Sequence, residues 1–301
     1  MAKKKNKKKK ISIFWMLIFI VGTLVMLYPI ISRIYYRFEA SNQVDSFDAA
    51  AKELNKEDIN RRIGLARAYN DSLIGKAPED PYSKERIKAG RKEYARMLEV
   101  QEIIGHIEIP KINQDLPIQA GTGEDVLQNS VGHLEETSLP VGGNNTHTVL
   151  TAHRGLPNKT LFTNLNELAI GDKFYIHNIK ETLAYQVDQI KVIEPSNFDD
   201  LLVEPGHDYA TLLTCTPFMI NSHRLIVRGH RVPYVAQLDE ELIRTSKTNW
   251  IFRILFFLAL ILILILLILI IKLKRENRKN AKKIDQIKER IGDKDEEKGE
   301  S

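Results

Sequence analysis

The chain has 301 residues, a formal net charge of +5, 28% charged residues and a single cysteine. One cysteine excludes an internal disulfide and argues against a cysteine-based zinc site. The positive charge is concentrated at the ends: residues 1–10 carry +7 and residues 272–301 carry +3, so the residues between them carry −5. A mildly acidic central region argues against nucleic acid as its ligand.

The amino-terminal end predicts a membrane anchor. Residues 1–10 form a basic tail with seven lysines, and residues 11–31 are 21 consecutive uncharged residues. About 20 apolar residues in a helix span the roughly 30 Å core of a bilayer. A cleaved signal peptide is the alternative, but the apolar run is long for one and residues 32–37 offer no small-x-small cleavage site. We therefore expect residues 11–31 to be an uncleaved transmembrane helix.

The carboxy-terminal end predicts a second anchor over residues 250–271, in which Arg253 is the only charge and Trp250 suits the interface. A charged tail follows at residues 272–301, with eleven Lys or Arg and eight Asp or Glu. Positively charged flanks stay inside the cell. Both termini are therefore predicted to be cytoplasmic, with the region between the two spans outside the cell.

Between the anchors, the sequence changes from helical to β-rich. Residues 32–102 are predicted to be mainly helical, with an amphipathic pattern over residues 45–69 that ends before Pro78 and Pro81. Residues 103–235 contain short β-rich runs separated by turn residues, which favour a mainly β domain, a single barrel or sandwich. The runs are Ile103–Ile109, Leu116–Ile118, His147–Thr151, Lys173–His177, Leu183–Val187, Lys191–Ile193, Tyr209–Thr214 and Arg224–Arg228. Residues 236–249 are expected to be a juxtamembrane linker.

The lone cysteine, Cys215, is either a small buried hydrophobe or a reactive nucleophile. A nucleophilic thiol needs a base or a cation beside it. His153 follows an apolar strand and opens a polar loop, which suits a side chain that faces a cleft. His147, at the start of the same strand, is the nearest competitor.

Arg224 is the candidate cation, since it begins a strand that follows the Cys215 strand after a short connection. Two such strands are plausible antiparallel neighbours. A guanidinium is always charged and could donate to the oxyanion of a tetrahedral intermediate. Arg228 lies on the same face of that strand, so alternation alone does not exclude it. Spacing thus predicts a Cys-His-Arg site and leaves open whether the arginine is Arg224 or Arg228.

Two stretches of the sequence carry a specific resemblance. They are Thr211–Pro217 with Asn221–Arg231, and Val131–Gly143 with Leu150–Gly155. The first resembles the active-site signature of the sortases and the second resembles their catalytic-histidine region. The resemblance covers most of residues 103–233 and implies an eight-stranded sortase β-barrel. It implies His153 as acid and base, Cys215 as nucleophile and Arg224, rather than Arg228, as the oxyanion-stabilising arginine.

Class C, the pilus-assembling sortases, is implied by the predicted second membrane span and by a lid predicted at residues 78–85. Asp80-Pro81-Tyr82 is similar to the Asp-Pro-aromatic lid motif of that class, although by itself it would be an ordinary turn. The resemblance implies that this lid covers the active site, with Asp80 near the arginine. No acidic run suggests a calcium cage, so neither a metal nor a cofactor is predicted.

The implied activity is that of a cysteine transpeptidase. It would cleave a Leu-Pro-x-Thr-Gly-like sorting signal of a pilin subunit and join the acyl group to a lysine amine of another pilin. A membrane-anchored cysteine protease is one alternative, although papain-type enzymes place cysteine before histidine. A non-catalytic surface binding module is the other, and in that case Cys215 would be dispensable.

Overall fold

The computed structural model describes residues 3–73 and 95–245, and, beyond these, only scattered positions between 255 and 277. The chain divides into two compact units, Met1–Ser246 and Lys247–Ser301. In the second unit, residues 270–274 are helical. The predicted lid residues, Asp80, Pro81 and Tyr82, lie outside the described residues.

Two helices open the first unit. Helix α1 spans Lys3–Glu53, and α2 spans Lys56–Asp71. They separate at Asn55, whose side chain caps α2 by accepting a hydrogen bond of 2.7 Å from the Asp58 amide. The amphipathic stretch at residues 45–69 is therefore two helices. None of the helices in the described ranges combines the length and the hydropathy that a membrane crossing requires.

A closed β-barrel of eight strands follows, in the order β1-β2-β3-β4-β7-β8-β6-β5. The parallel pairs are β2 with β3 and β4 with β7, and the remaining neighbours are antiparallel. A closed barrel leaves no unpaired edge strand. The strands are β1 (Gly105–Ile109), β2 (Gln114–Ala120), β3 (Val131–His133), β4 (Thr146–Thr151), β5 (Lys173–His177), β6 (Thr182–Ile193), β7 (Asp208–Thr216) and β8 (His223–Val232).

The expectation of a mainly β, eight-stranded barrel preceded by helices is confirmed, although two strands differ from their predictions. The runs at residues 183–187 and 191–193 are one strand, β6, with a register shift between Val187 and Gln189. Strand β3 was missed, because three residues that include Gly132 carry too little alternation to be recognised. The two errors compensate, which is why the predicted strand count was right.

The helices pack on the barrel through apolar and polar contacts. Phe47 of α1 and Ile63 and Ala66 of α2 are buried in the same hydrophobic cluster as the barrel interior. Asn70 of α2 is 1% exposed, and its amide donates to the Leu139 carbonyl (3.1 Å) and accepts from the Leu139 amide (2.7 Å). A buried amide satisfied on both sides fixes the position of α2 as well as contributing to its stability.

A short helix that the sequence did not predict packs against the barrel. Residues 236–245, expected to be part of a linker, are helical. Asp239 is 2% exposed and accepts from Lys173 Nζ (2.9 Å) and from the Tyr175 hydroxyl (2.8 Å). This segment is therefore anchored to strand β5 by a charge-assisted pair of hydrogen bonds.

Candidate active site

Cys215 lies one residue before the end of β7 and is 7% exposed. It pairs with Arg224 in the antiparallel ladder between β7 and β8. Directly opposed residues of an antiparallel pair point to the same face, with Cβ atoms about 4.5–5.5 Å apart. The ladder therefore places the only thiol of the chain and a guanidinium side by side, as the predicted antiparallel pairing required.

His153 is brought towards Cys215 by the parallel pairing of β4 with β7. The last pair of that ladder is Thr151 with Leu213. The Ala152 amide then donates to the Leu213 carbonyl at 3.3 Å, so the contact continues past the end of β4. His153 and Cys215 are each two residues beyond the last ladder pair, which places them at the same level of neighbouring strands.

The electrostatic environment of His153 favours its neutral form. The residue is partly buried, and this burial lowers the pKa of its imidazole, while Glu124 acts in the opposite direction. Glu124 begins the short helix α3 (Glu124–Leu127), and it accepts a hydrogen bond from Gln128. At pH 7 an imidazole whose pKa is lowered has a nitrogen that can accept a proton.

Arg224 is 6% exposed, and its guanidinium is held by the backbone. Its Nη1 donates to the carbonyl oxygens of Asn221 and His223, both at 3.2 Å. Asn221 has a positive φ of 60°, so the turn between β7 and β8 is shaped to present its carbonyl. These two carbonyl groups hold the guanidinium in place on the strand directly opposite Cys215.

The structure separates both predicted competitors from this cluster. His147 is 1% exposed, with Nδ1 2.9 Å from the Leu202 carbonyl and Nε2 2.7 Å from the Thr211 hydroxyl. Burial lowers its pKa to about 4, so it is a neutral structural residue. Arg228 pairs with Thr211, four positions along β8 from Arg224, and its guanidinium contacts Asp188 at 3.1 Å.

The sequence missed one side chain that contacts this region. Arg154 directly follows His153, and its guanidinium donates to the hydroxyl of Thr216, which directly follows Cys215 (3.0 Å). The adjacency of an arginine to the predicted base was the only available signal. Within the described part of the chain, no group of three or more His, Cys, Asp or Glu side chains could hold a metal ion.

Comparisons with known proteins identify the family to which this barrel is similar. The sortase domain profile matches residues 107–232. Sortase C-1 of Streptococcus pneumoniae is 63% identical, over 64% of this chain and 100% of that one, with a TM-score of 0.63. A pilus-related sortase C of Group B Streptococcus is 65% identical, over 64% of this chain and 98% of that one, with a TM-score of 0.61.

A more distant relative covers more of the chain. Sortase A of Bacillus anthracis is 23% identical over 227 residues, which are 75% of this chain and 97% of that protein. The predicted family and its cysteine transpeptidase chemistry are confirmed by these matches: the chain belongs to the sortase family.

Proposed function

We propose that this sortase polymerises pilins, with Cys215 as nucleophile, His153 as acid and base, and Arg224 as the oxyanion-stabilising residue. The observation that carries the proposal is the ladder that opposes Cys215 to Arg224, with β4 delivering His153 from the other side. A thiol flanked by an imidazole and a fixed cation is the arrangement that nucleophilic acyl transfer needs.

In the first half-reaction, the neutral His153 accepts the thiol proton of Cys215. The resulting thiolate attacks the threonine carbonyl of a Leu-Pro-x-Thr-Gly-like signal, and Arg224 stabilises the oxygen that becomes negative. As the tetrahedral intermediate collapses, the threonine–glycine bond breaks and the imidazolium returns its proton to the departing glycine amine. A thioester at Cys215 remains.

In the second half-reaction, a neutral lysine amine of another pilin attacks the thioester. The carbon–sulfur bond breaks, an isopeptide bond forms, and the amine proton passes through His153 back to the Cys215 sulfur. The choice of pilins as substrates is supported by the 65% identity to the pilus-related sortase C of Group B Streptococcus.

We further propose that two membrane helices hold this site at the outer face of the cell membrane, with both tails in the cytoplasm. The support is sequence hydropathy and charge: residues 11–31 are uncharged and lie within α1, residues 250–271 contain one charge, and basic residues flank both. Anchoring enzyme and membrane-bound pilins in one plane raises their effective concentration. A lid at Asp80, Pro81 and Tyr82 stays a prediction.

The test is mass-spectrometric capture of the acyl-enzyme. The full-length chain in detergent is incubated with a Leu-Pro-x-Thr-Gly peptide, and then with a pilin that supplies the lysine amine. We expect the mass of the peptide up to threonine to be added at Cys215, followed by an isopeptide product, and neither with Cys215→Ala. His153→Gln should slow acylation by about 10²-fold or more.

Each alternative gives a different result. A cysteine protease would release hydrolysed peptide without transfer to the amine. A binding module would leave the peptide intact and would bind it equally well with Cys215→Ala. Either result would refute the proposed transpeptidation.

A further inference from the structure

The side chain of Arg154 connects the loop that carries the proposed base to the end of the strand that carries the proposed nucleophile. Its Nη1 donates to Thr216 Oγ1 (3.0 Å), its Nε to the Thr163 carbonyl (3.2 Å) and its Nη2 to Asn166 Oδ1 (2.8 Å). All three guanidinium nitrogens are therefore engaged. Since Arg154 follows His153 and Thr216 follows Cys215, one planar group links the chain immediately after each of the two reacting residues.

The contact lies behind the reacting groups rather than among them. Successive residues of a strand point to opposite faces, so Thr216 points away from the face of β7 that carries Cys215 and, across the ladder, Arg224. A guanidinium bonded to Thr216 on that side is not placed to touch the substrate. It can influence the reaction only through the position and the electrostatic field of Cys215 and His153.

The loop after β4 also meets the turn after β7 through an apolar contact. Gly155 has a φ of +88°, and a Cβ at this position would lie 3.0 Å from Cε2 of Phe218, in the turn after β7. The Gly155 amide donates to the Thr163 hydroxyl at 3.1 Å, and the Phe162 amide donates to the His153 carbonyl at 3.2 Å. The loop after β4 is thus folded back on itself and rests directly on the turn after Cys215.

We propose that Arg154 is a positioning residue, which sets the distance between the His153 imidazole and the Cys215 sulfur by bracing the loop after β4 against the end of β7. The inference rests on the proposed roles of His153 and Cys215. A small displacement between reacting groups costs up to about 10²-fold in rate, so a brace of this kind acts on kcat and leaves substrate affinity unchanged.

A matched pair of variants at Thr216 tests the hydrogen bond between Arg154 and Thr216 by itself. Thr216→Val removes the acceptor and keeps the shape, whereas Thr216→Ser keeps the hydroxyl. We expect Thr216→Val and Arg154→Met to lower kcat by about 10- to 100-fold with KM within about 2-fold. Thr216→Ser should stay within about 3-fold of the parent chain, and Arg154→Lys should rescue little because an ammonium cannot reach three acceptors.

A second readout needs no turnover. Cys215 is the only cysteine in the chain, so alkylation by iodoacetamide reports on this thiol alone. Loss of the Arg154–Thr216 contact should move the His153 imidazole away from the thiol and so favour the thiolate less. The pH profile of alkylation should therefore move to higher pH in Arg154→Met and in Thr216→Val, and not in Thr216→Ser. Asn166→Ala, which removes one exposed bond of the three, serves as the control and should leave the profile within about 0.2 pH unit.

The outcomes separate this inference from the proposed function. If the parent chain forms no acyl-enzyme, the proposed function fails, while the alkylation profiles still decide whether Arg154 orients the thiol. If Thr216→Val and Thr216→Ser share one kcat and one alkylation profile, the positioning role is overturned. Should Arg154→Met fail to fold, Thr216→Val alone decides, because it deletes only the hydroxyl contact.

Discussion

The two ends of the β4-β7-β8 sheet use similar residues for opposite purposes. At one end, Cys215 lies opposite Arg224 in the ladder between β7 and β8, and His153, two residues past the end of β4, lies at the level of Cys215. At the other end, Thr146 pairs with Asp208 across β4 and β7, and Arg231 near the end of β8 contacts the Asp208 carboxylate at 3.6 Å. Each end therefore holds an arginine beside a residue that carries, or can acquire, negative charge: Cys215 is buried and Asp208 is partly buried.

The difference is in how the anionic group is satisfied. Asp208 accepts from the Gly143 amide (2.8 Å), the Tyr185 hydroxyl (2.9 Å) and the Thr146 hydroxyl (3.3 Å). Such a carboxylate is a structural node, since its donors are fixed and no reactant is needed to complete it. Near Cys215, the Arg224 guanidinium is held by backbone carbonyls, and in the proposed reaction it stabilises an oxyanion that forms only transiently. A charge satisfied in advance stabilises the fold, whereas a cation prepared for a transient charge serves catalysis.

The largest effect is expected from a substitution at the end of the sheet that holds Cys215 and Arg224. Arg224→Gln should lower kcat/KM for peptide cleavage by about 10²- to 10³-fold, because the oxyanion loses a fixed donor. Arg228→Gln, on the same face of β8, is the matched control and should change kcat/KM by less than about 3-fold per folded molecule. Steady-state kinetics of the full-length chain decide it, and equal losses in both variants would contradict the assignment of Arg224.

The next largest effect is expected from a substitution at the opposite end of the sheet, which holds Asp208 and Arg231. Asp208→Asn removes the nearer of the two carboxylates beside Arg231 and leaves at least one fixed donor unsatisfied, so the free energy of unfolding should fall by about 2–3 kcal/mol. This corresponds to a Tm lower by roughly 5–10 °C. Thermal unfolding measures it, and kcat/KM of the remaining folded protein should stay within about 2-fold. Glu181→Gln is the control and should lower the free energy of unfolding much less, because the contact of Glu181 with Arg231 is 4.0 Å long. A large loss of activity in Asp208→Asn would contradict the expectation that the two ends of the sheet are independent.

The smallest expected effect is on stability and concerns a histidine of β1, outside the β4-β7-β8 sheet. His106 on β1 lies 2.8 Å from Asp115 and 3.4 Å from Asp48 of α1, and it stacks on His177 with ring centroids 4.2 Å apart. Glu108, 3.5 Å from His177, faces the same pair. Burial by itself lowers the pKa of His106, but hydrogen bonds to Asp115 and Asp48 outweigh it and raise the pKa to about 9.

Because the folded pKa of His106 is raised, its stabilising contribution is complete below about pH 6.5 and is lost as the pH rises through about 9. We expect the free energy of unfolding to fall by about 2 kcal/mol or less over that interval, since Asp48 is exposed to solvent and its share is screened. Thermal unfolding at pH 6.5 and pH 9 measures it, with His106→Gln as the control. A Tm that falls equally in both proteins would show that His106 is not responsible.

Much of the site was predictable from the sequence, for reasons that particular residues make clear. Cys215 is the only thiol, His153 ends an apolar strand, and the strand with Arg224 follows after a short turn, so local patterns identify the candidates. The choice of Arg224 over Arg228 was not available from alternation, because both point to one face. The family resemblance supplied it, and the pairing of Cys215 with Arg224 in the structure agrees.

What the sequence by itself determined is local: the charge asymmetry of the tails, the helical and β-rich regions, and the residue types able to do acyl-transfer chemistry. What only the tertiary structure decided is the set of contacts between distant segments. The parallel pairing of β4 with β7 carries His153 to the level of Cys215, and Arg154 reaches Thr216 across 62 positions of sequence. Strand periodicity states which face a residue occupies, but register between strands distant in sequence arises from packing the whole barrel, which no local pattern encodes.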